Sequence, residues 1–274
     1  MQPIEQSSIF TNSTGPFPDK EIVCSVYSSF EEMSGMQPEW DAFVESVDGD
    51  IYLTFDWCRI WWEFYGIGRE LRIFIYRNNN TLVGLIPVFY EKQWIGPVWL
   101  KLAKIVGSDF TMVMANPPVK PDFAKNIFGR VFDSLVSNEG CDALWFGPIS
   151  GQYDSLGQLR TSFRDNPNVT LLRESIRSPY TIFPLPETFE DYVQSLTKQQ
   201  RDNLRRYSNL INKSFQMSYD IVTDKTIAIA EYNNFVQMHS KQWEAEGKLG
   251  HFNDWPLGRE VNSTLVFELA KQAR

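Results

Sequence analysis

The chain has 274 residues and a net charge of −8, with 43% hydrophobic and 15% aromatic residues. This much apolar material can fill the core of one large domain or two of ordinary size, which excludes disorder over most of the length. Residues 1–50 hold ten acids and one base, and the remainder is near neutral, so the broad basic patch that nucleic-acid binding requires is missing.

The first half of the chain alternates strand and helix patterns. Residues 1–20 are polar and rich in Ser, Thr and Pro, which predicts a flexible tail. Apolar residues have helical spacing around Trp40, over 56–65 and over 123–138. Strands are predicted from composition at 21–28, 71–77, 82–90, 110–115 and 143–146. Pro87 lies inside one of these strands. Because proline cannot donate to a neighbouring strand, that strand should lie at an edge, at a bulge, or be split there.

The second half continues the mixture. Strands are predicted at 169–174, 180–184 and 217–222, and helices at 189–196, from Thr197 onward, and at about 226–246 and 258–272. Thr197 and Gln200 have the spacing of a capping box. Interleaved strands and helices indicate an α/β (α+β) fold, with a mixed sheet flanked by helices. We place a domain boundary near residue 186.

The three cysteines are far apart and form no Cys-x-x-Cys pair, which is typical of buried, reduced thiols. The first residues lack the basic and apolar regions of a signal peptide. No stretch reaches the roughly 20 apolar residues that cross a bilayer. We therefore expect a soluble, cytoplasmic protein without a transmembrane segment.

Five local patterns resemble the CelD-type branch of the GNAT acyltransferase superfamily, which is distantly related to the Fem peptidyltransferases. They occur in the family's order and span about residues 36–255. They are Trp40 with Phe55-Asp56-Trp57 and Trp61-Trp62; Val83-Gly84-Leu85-Ile86-Pro87; Gly107-Ser108-Asp109-Phe110; the helix from Leu196 to Arg206; and His239, Trp243 and Gly247 followed by Phe252.

The resemblance implies two GNAT-like domains in tandem, at residues 21–186 and 187–274. It implies transfer of an acyl group, acetyl above all, from acyl-CoA to an amine or hydroxyl, on a saccharide or its precursor. It further implies no metal, and partners among proteins of cellulose or exopolysaccharide biosynthesis. An alternative is a non-catalytic GNAT-like binding or scaffold module in polysaccharide biosynthesis.

One feature of the family is missing from this chain. The second domain should continue past position 274 to a splayed strand, where acyl-CoA binds through backbone contacts. The sequence also lacks the Arg/Gln-x-x-Gly-x-Gly/Ala loop that cradles the pyrophosphate. We therefore expect the second domain to be incomplete.

The helix from Thr197 concentrates positive charge. Lys198, Arg201 and Arg205 share one face and Arg206 lies beside it, while the stretch to Lys213 holds a single acid. Arginine pairs with phosphate oxygens, so these residues could bind an anion such as the CoA diphosphate, a nucleotide sugar or a lipid-linked phosphate. The alternative is a solvated basic face of an amphipathic helix.

Two residues are candidates for acid–base or orienting roles. His239 could be a general base, since its free pKa is near neutral, or a packed histidine bonded to a backbone carbonyl beside Trp243. Asp109 could orient an acceptor hydroxyl or cap its own turn. His239 and His251 are poorly spaced for zinc, so no metal is expected.

The tryptophans of residues 57–62 could form a platform for stacking sugars. Trp57 and Trp61 fall on the apolar stripe of their helix, which favours packing in the core. Trp62 lies off that stripe and is the one candidate for exposure.

Overall fold

A computed structural model describes residues 22–109, 116–151, 155–175, 183, 185–253 and 255–271. Two of the predicted features, the tail at 1–20 and the strand at 110–115, lie outside these ranges, as does most of the strand at 180–184. The chain divides into two compact units. The first unit comprises residues 1–174 and 224–274, and the second comprises residues 175–223.

The first unit is built on a sheet with the strand order β1-β2-β3-β4-β5. The strands are β1 (Ile22–Tyr27), β2 (Glu70–Asn78), β3 (Thr81–Ile95), β4 (Val98–Ile105) and β5 (Ala143–Trp145). The pairs from β1 to β4 are antiparallel, whereas β5 runs parallel to β4. The predicted mixed sheet of an α/β fold is therefore confirmed.

Eight α-helices accompany these strands in the described residues. They are α1 (Gln37–Ser46), α2 (Phe55–Tyr65), α3 (Pro121–Asp133), α4 (Ser155–Asp165), α5 (Phe189–Ser195), α6 (Lys198–Ser214), α7 (Lys225–Ala245) and α8 (Gly258–Lys271). A π-helical turn, Ser134–Asn138, continues α3 to the end that the sequence predicts. None of the helices in the described ranges has the length and apolar character needed to span a membrane.

The two faces of the sheet carry separate cores. Trp40 of α1, Trp61 of α2 and Phe89 of β3 belong to the first core, and α8 adds Val261 to it. Phe128 and Phe132 of α3 belong to the second, on the opposite face. Alternation along β3 directs successive side chains to the two cores, because strand side chains point to opposite faces in turn.

Pro87 lies one residue before the part of β3 that pairs with β4. The ladder between β3 and β4 ends at the pair Val88–Ile105, and the carbonyl of Pro87 accepts one last bond from Val106 N at 2.9 Å. The amide nitrogen of a strand residue points to the same side as its carbonyl, so the nitrogen of Pro87 faces the end of β4. β3 is the third of five strands and so is not an edge strand; Pro87 is tolerated because its nitrogen lies past the last β3–β4 pair, where no ladder donor is needed.

Two predicted strands are wrong. Residues 169–174 and 217–222 have no regular secondary structure. Both stretches have strand composition, but a strand exists only where another strand accepts and donates its backbone hydrogen bonds. That partner is decided by the tertiary fold and not by local composition.

Candidate functional site

Four charged side chains meet on the α2 face of the sheet, near the carboxyl end of β4. Glu91 lies on β3 and Lys104 on β4, while Arg69 follows α2 and Asp109 follows β4. Phe89 is the register partner of Lys104 and precedes Glu91 by two residues. Strand alternation therefore places Glu91 and Lys104 on the same face as Phe89.

Every member of this group contacts two members of opposite charge. Arg69 Nε lies 2.8 Å from Glu91 Oε2, and its Nη2 lies 2.9 Å from Asp109 Oδ2. Lys104 Nζ lies 2.8 Å from Glu91 Oε1 and 3.2 Å from Asp109 Oδ1. The four side chains, here called the charged quartet, are 9 to 19% exposed. Two positive and two negative charges thus form a closed, neutral ring.

Aromatic rings of the first core pack against Arg69 of the quartet. Arg69 Cζ is 4.6 Å from the centroid of the Phe89 ring and 5.8 Å from that of Trp61. Such cation–ring contacts are favourable, most of all where water is excluded. Moving a charged group out of water costs roughly several kcal/mol of free energy per ion. A buried charged network is therefore stable only where every charge has partners.

Three buried polar atoms near the quartet have no hydrogen-bond partner within the described ranges. They are Arg69 Nη1, Trp61 Nε1 and, in the residue before Asp109, Ser108 Oγ. The two nitrogens can only donate, and the hydroxyl can donate as well as accept. An unpaired buried donor costs about 1–3 kcal/mol.

Trp145 of β5 is an exposed aromatic side chain on the same face as the quartet. β5 pairs with β4 over three residues, and Trp145 is the register partner of Lys104. Trp145 therefore lies on the face of the quartet, and it is 61% exposed. A flat aromatic side chain beside paired charges can stack on the ring of a ligand such as a sugar, while the charges contact the polar groups of that ligand.

The arrangement suits binding and orientation better than proton transfer. Each carboxylate of the quartet contacts both cations, so its oxygens are engaged. In particular, Asp109 contacts both Arg69 and Lys104. A role for Asp109 in orienting an acceptor hydroxyl stays a prediction.

A second charged group lies on the opposite face of the sheet. Tyr90 donates to Glu139 Oε2 at 2.7 Å, and Arg72 Nε donates to Glu139 Oε1 at 2.8 Å. Burial by itself raises the pKa of the Glu139 carboxyl, but the hydrogen bonds from Tyr90 and Arg72 outweigh it and hold that pKa below its usual value. Burial and the bond to Glu139 raise the pKa of Tyr90.

His239 lies on α7 in an aromatic cluster with Phe235, Trp243 and Phe252. Trp243 Nε1 donates to His239 Nε2 at 2.8 Å. Nδ1 is buried and finds no partner within the described ranges, and the ring centroids of His239 and His251 are 5.5 Å apart. No group of three or more His, Cys, Asp or Glu in those ranges could hold a metal ion. The Nε2 lone pair is thus engaged by Trp243.

Gly247 ends α7, as the sequence predicts. It has φ +70°, and its amide donates to Glu244 O at 3.0 Å. Lys248 N donates to Trp243 O at 2.9 Å. These two bonds form the Schellman motif, in which a left-handed residue satisfies the last carbonyls of a helix.

The basic residues of α6 lie in the second compact unit, whereas Asp109 and His239 lie in the first. The predicted capping box is confirmed, since Thr197 and Gln200 satisfy each other's backbone amides. Arg201 donates to Leu196 O and is half-buried; the other three, Lys198, Arg205 and Arg206, are exposed. Their binding of an anion stays a prediction.

The tryptophans of α2 belong to the core. Trp57 and Trp61 are buried, and Trp62 is half-buried with its ring centroid 6.3 Å from that of Phe89. The predicted core packing of Trp57 and Trp61 is therefore confirmed. Trp145, which sequence reasoning did not single out, is the more exposed aromatic surface beside the quartet.

Comparison with known proteins adds little. No protein-family model matches the chain, and no curated protein matches it. Crystal structures of a tetramutant and of a point mutant of the BH1408 protein from Bacillus halodurans align at 9% and 12% identity, with TM-scores of 0.34 and 0.33. A transcriptional regulator from Bacillus halodurans C-125 aligns at 12% identity and a TM-score of 0.31. Each alignment covers 57% of this chain and 99% of the other. Likeness at this level supports no argument about fold or function.

Sequence reasoning found one member of the quartet and missed the other three. Asp109 was selected because it belongs to the Gly107-Ser108-Asp109 segment. Glu91 and Lys104 carried a usable signal, because each is a charge at a position that alternation assigns to a buried face. Arg69 carried none, since a loop arginine is ordinarily exposed.

Proposed function

We propose that this chain is part of an acyltransferase of the GNAT superfamily that resembles its CelD-type branch. The proposed reaction transfers an acyl group, acetyl above all, from acyl-CoA to an amine or hydroxyl of a saccharide or its precursor. The observation that carries the proposal is the Gly107-Ser108-Asp109 turn. It follows β4, beside the short parallel pair with β5, and supplies Asp109 to the charged quartet.

In the proposed reaction the acceptor nitrogen or oxygen attacks the thioester carbonyl. The acceptor loses its proton to a base, and the CoA thiolate leaves and is protonated. Positioning of the two reactants supplies much of the acceleration in such a reaction. The exposed ring of Trp145 beside the quartet supports a role in holding the acceptor, with Asp109 as an orienting residue.

The bases of α6 are proposed to bind the phosphates of acyl-CoA. Lys198, Arg205 and Arg206 are exposed and α6 has no acid beyond Asp202, so the helix offers charge to an anion. Arg201 is already bonded to the carbonyl of Leu196, so it can offer its remaining donors.

A second function, a non-catalytic binding or scaffold module in polysaccharide biosynthesis, is favoured by a specific observation. Both proposed catalytic side chains have their acceptor atoms engaged: Asp109 by Arg69 and Lys104, and His239 Nε2 by Trp243. For His239 to take a proton at Nε2, the indole N–H of Trp243 would first have to turn away. A module that binds without turnover needs no such change.

Acetyl-CoA titration by calorimetry, with a thiol-release assay on amino-sugar and hydroxyl acceptors, separates the two functions. Binding with thiol release supports the transferase, and binding of a sugar nucleotide without thiol release supports the module. Absence of binding to acetyl-CoA and CoA would refute the transferase. Arg205→Ala should weaken acetyl-CoA binding by about 1–3 kcal/mol if its side chain forms charged hydrogen bonds. Lys213→Ala, at the far end of α6, is the matched control and should change affinity little.

A further inference from the structure

The hairpin of β3 and β4 extends beyond the other strands of the sheet. The register that β3 shares with β2 ends at Tyr90, and the register that β4 shares with β5 ends at Leu102. Beyond those rows β3 and β4 pair only with each other within the described residues, out to the pair Ile95–Val98. The extension, residues 92–101, is here called the tip. Its described side chains at 92–99 are all exposed, so the tip projects into solvent.

Two tryptophans face each other at the tip. Trp94 and Trp99 are register partners whose ring centroids are 4.5 Å apart, yet each residue is 55% exposed. Val98 beside them is 49% exposed. No residue from 93 to 100 carries a charge. Large apolar side chains that are concentrated at an exposed, projecting end are typical of an interaction surface.

A row of two lysines lies between the tryptophans and the rest of the sheet. Lys92 and Lys101 are register partners, and strand alternation places them on the face of Trp94 and Trp99. Lys92 is exposed, and Lys101 Nζ donates to Glu139 O at 2.6 Å. The tip thus holds two bases and no acid, in a chain of net charge −8. Like charges directly opposite each other are destabilising, and an anionic surface against this row would offset that cost.

We propose that the tip docks on an anionic lipid surface, with Trp94 and Trp99 at the acyl boundary and the two lysines at the headgroup phosphates. Lys92 precedes Ile95, the last paired residue of β3, by three positions, which is about 10 Å at roughly 3.3 Å per residue. Segments that lie in the lipid interface bury their apolar groups about 5–10 Å deep. Tryptophan is enriched at this level because its ring is apolar and its N–H is polar. The order of charge, aromatic ring and apolar turn along the tip therefore matches the order of layers in the lipid.

Nearby acids do not oppose this docking. Glu39, from the acid-rich part of the chain, pairs with Arg77 at 2.6 Å, beside the turn between β2 and β3. Successive turns of an antiparallel sheet lie at opposite ends of the strand they share, so Glu39 is at the far end of β3 from the tip. Glu139 and Asp142, which lie near the lysine row, already accept hydrogen bonds. The first acid is thus remote from the tip, and the other two are engaged.

A saccharide fits the tryptophan pair less well. A sugar stacks on an open, flat ring face, whereas Trp94 and Trp99 lie close enough for each ring to cover one face of the other. No charged or amide side chain lies between these two residues in the sequence to bind the hydroxyls of a sugar. Lipid docking through the tip is independent of the proposed acyl transfer.

Co-sedimentation with sucrose-loaded vesicles tests the proposal. The wild-type chain should bind vesicles of phosphatidylcholine mixed with phosphatidylserine more tightly than vesicles of phosphatidylcholine alone. Trp94→Ala combined with Trp99→Ala should weaken this binding at least about tenfold, because the apolar area that enters the interface is lost, and Lys92→Gln should weaken it about fivefold. Trp145→Ala removes a similarly exposed tryptophan from β5 and is the matched control, which should bind like wild type. Absence of wild-type binding, equal binding to both kinds of vesicle, or an equal effect of the double variant and the control overturns the proposal.

A fluorescent label tests which end of β3 meets the lipid. An environment-sensitive dye attached to Val98→Cys should brighten and shift to the blue on anionic vesicles, because the tip leaves water. Thr81→Cys, at an exposed position at the opposite end of β3, is the control and should not change. The native cysteines are buried or half-buried, which favours labelling of the new thiol. This readout keeps the tryptophan pair intact, so it holds even if the double variant frays the hairpin. An unchanged spectrum at Val98→Cys, or equal shifts at both positions, would refute docking through the tip.

Discussion

Replacing Lys104 by methionine tests whether the charged quartet acts as one network. Lys104 is the least exposed member, and its ammonium lies 2.8 Å from Glu91 and 3.2 Å from Asp109. Methionine keeps the chain length and removes the charge, so two carboxylates then share Arg69. Removing one partner of a buried ion pair costs about 3–5 kcal/mol. The carboxylates are 17 and 19% exposed and keep one cation, so we expect a loss of about 2–3 kcal/mol.

Urea unfolding followed by tryptophan fluorescence measures this loss. Lys92→Met, at an exposed position of β3, is the matched control and should change stability by about 0.5 kcal/mol or less. Lys104→Met combined with Glu91→Gln removes one charge of each sign, so the double variant should lose less than the sum of the two single losses. A loss for Lys104→Met no larger than the control, or strict additivity in the double variant, would refute the network.

Three further predictions concern the rest of the first unit. Because the folded-state pKa of Glu139 is lowered, its carboxylate contributes stability above about pH 4.5 that is lost as the pH falls through the folded pKa. Urea midpoints of Glu139→Gln should accordingly fall less between neutral and acid pH than those of wild type; parallel curves would contradict this. Burial raises the pKa of all three cysteines, so Ellman's reagent at about pH 8 should react slowly with native protein and fully after denaturation; rapid labelling of a native thiol would argue otherwise. Trp40→Ala should lower the free energy of unfolding in urea by about 3–5 kcal/mol, because it leaves a cavity and removes the 2.7 Å hydrogen bond to Leu53 O. Trp145→Ala, at an exposed position, is the control. An equally small loss in both variants would show that α1 is not part of the core.

Local periodicity determined most of the elements. Apolar spacing predicted α1, α2, α3, α7 and α8 to within a few residues, because a helix satisfies its own backbone and needs one apolar stripe to dock. Cap chemistry acts over three or four residues, so Thr197, Gln200 and Gly247 could be assigned before the structure. The mixed α/β class followed from the interleaving of these elements.

Strand existence was decided by the tertiary structure. Residues 169–174 and 217–222 have strand composition as good as that of β1, yet only β1 has a neighbour, β2, that pairs with it. Backbone hydrogen bonds of a strand come from residues distant in the chain, so a local pattern cannot specify them. For the same reason the parallel placement of β5 beside β4 was not predictable.

The candidate site likewise has features that local sequence predicts and features that only the tertiary structure sets. The sequence by itself predicted that Gly107-Ser108-Asp109 leads into a strand at 110–115 and that the charges of α6 share one face, but it did not predict β4, the strand that precedes this segment. Only the tertiary structure decided that Asp109 meets Arg69, Glu91 and Lys104, which come from a loop and two strands up to 40 residues away. Charges pair through space across aligned strands, and their partners are set by register, which depends on where each strand begins to pair.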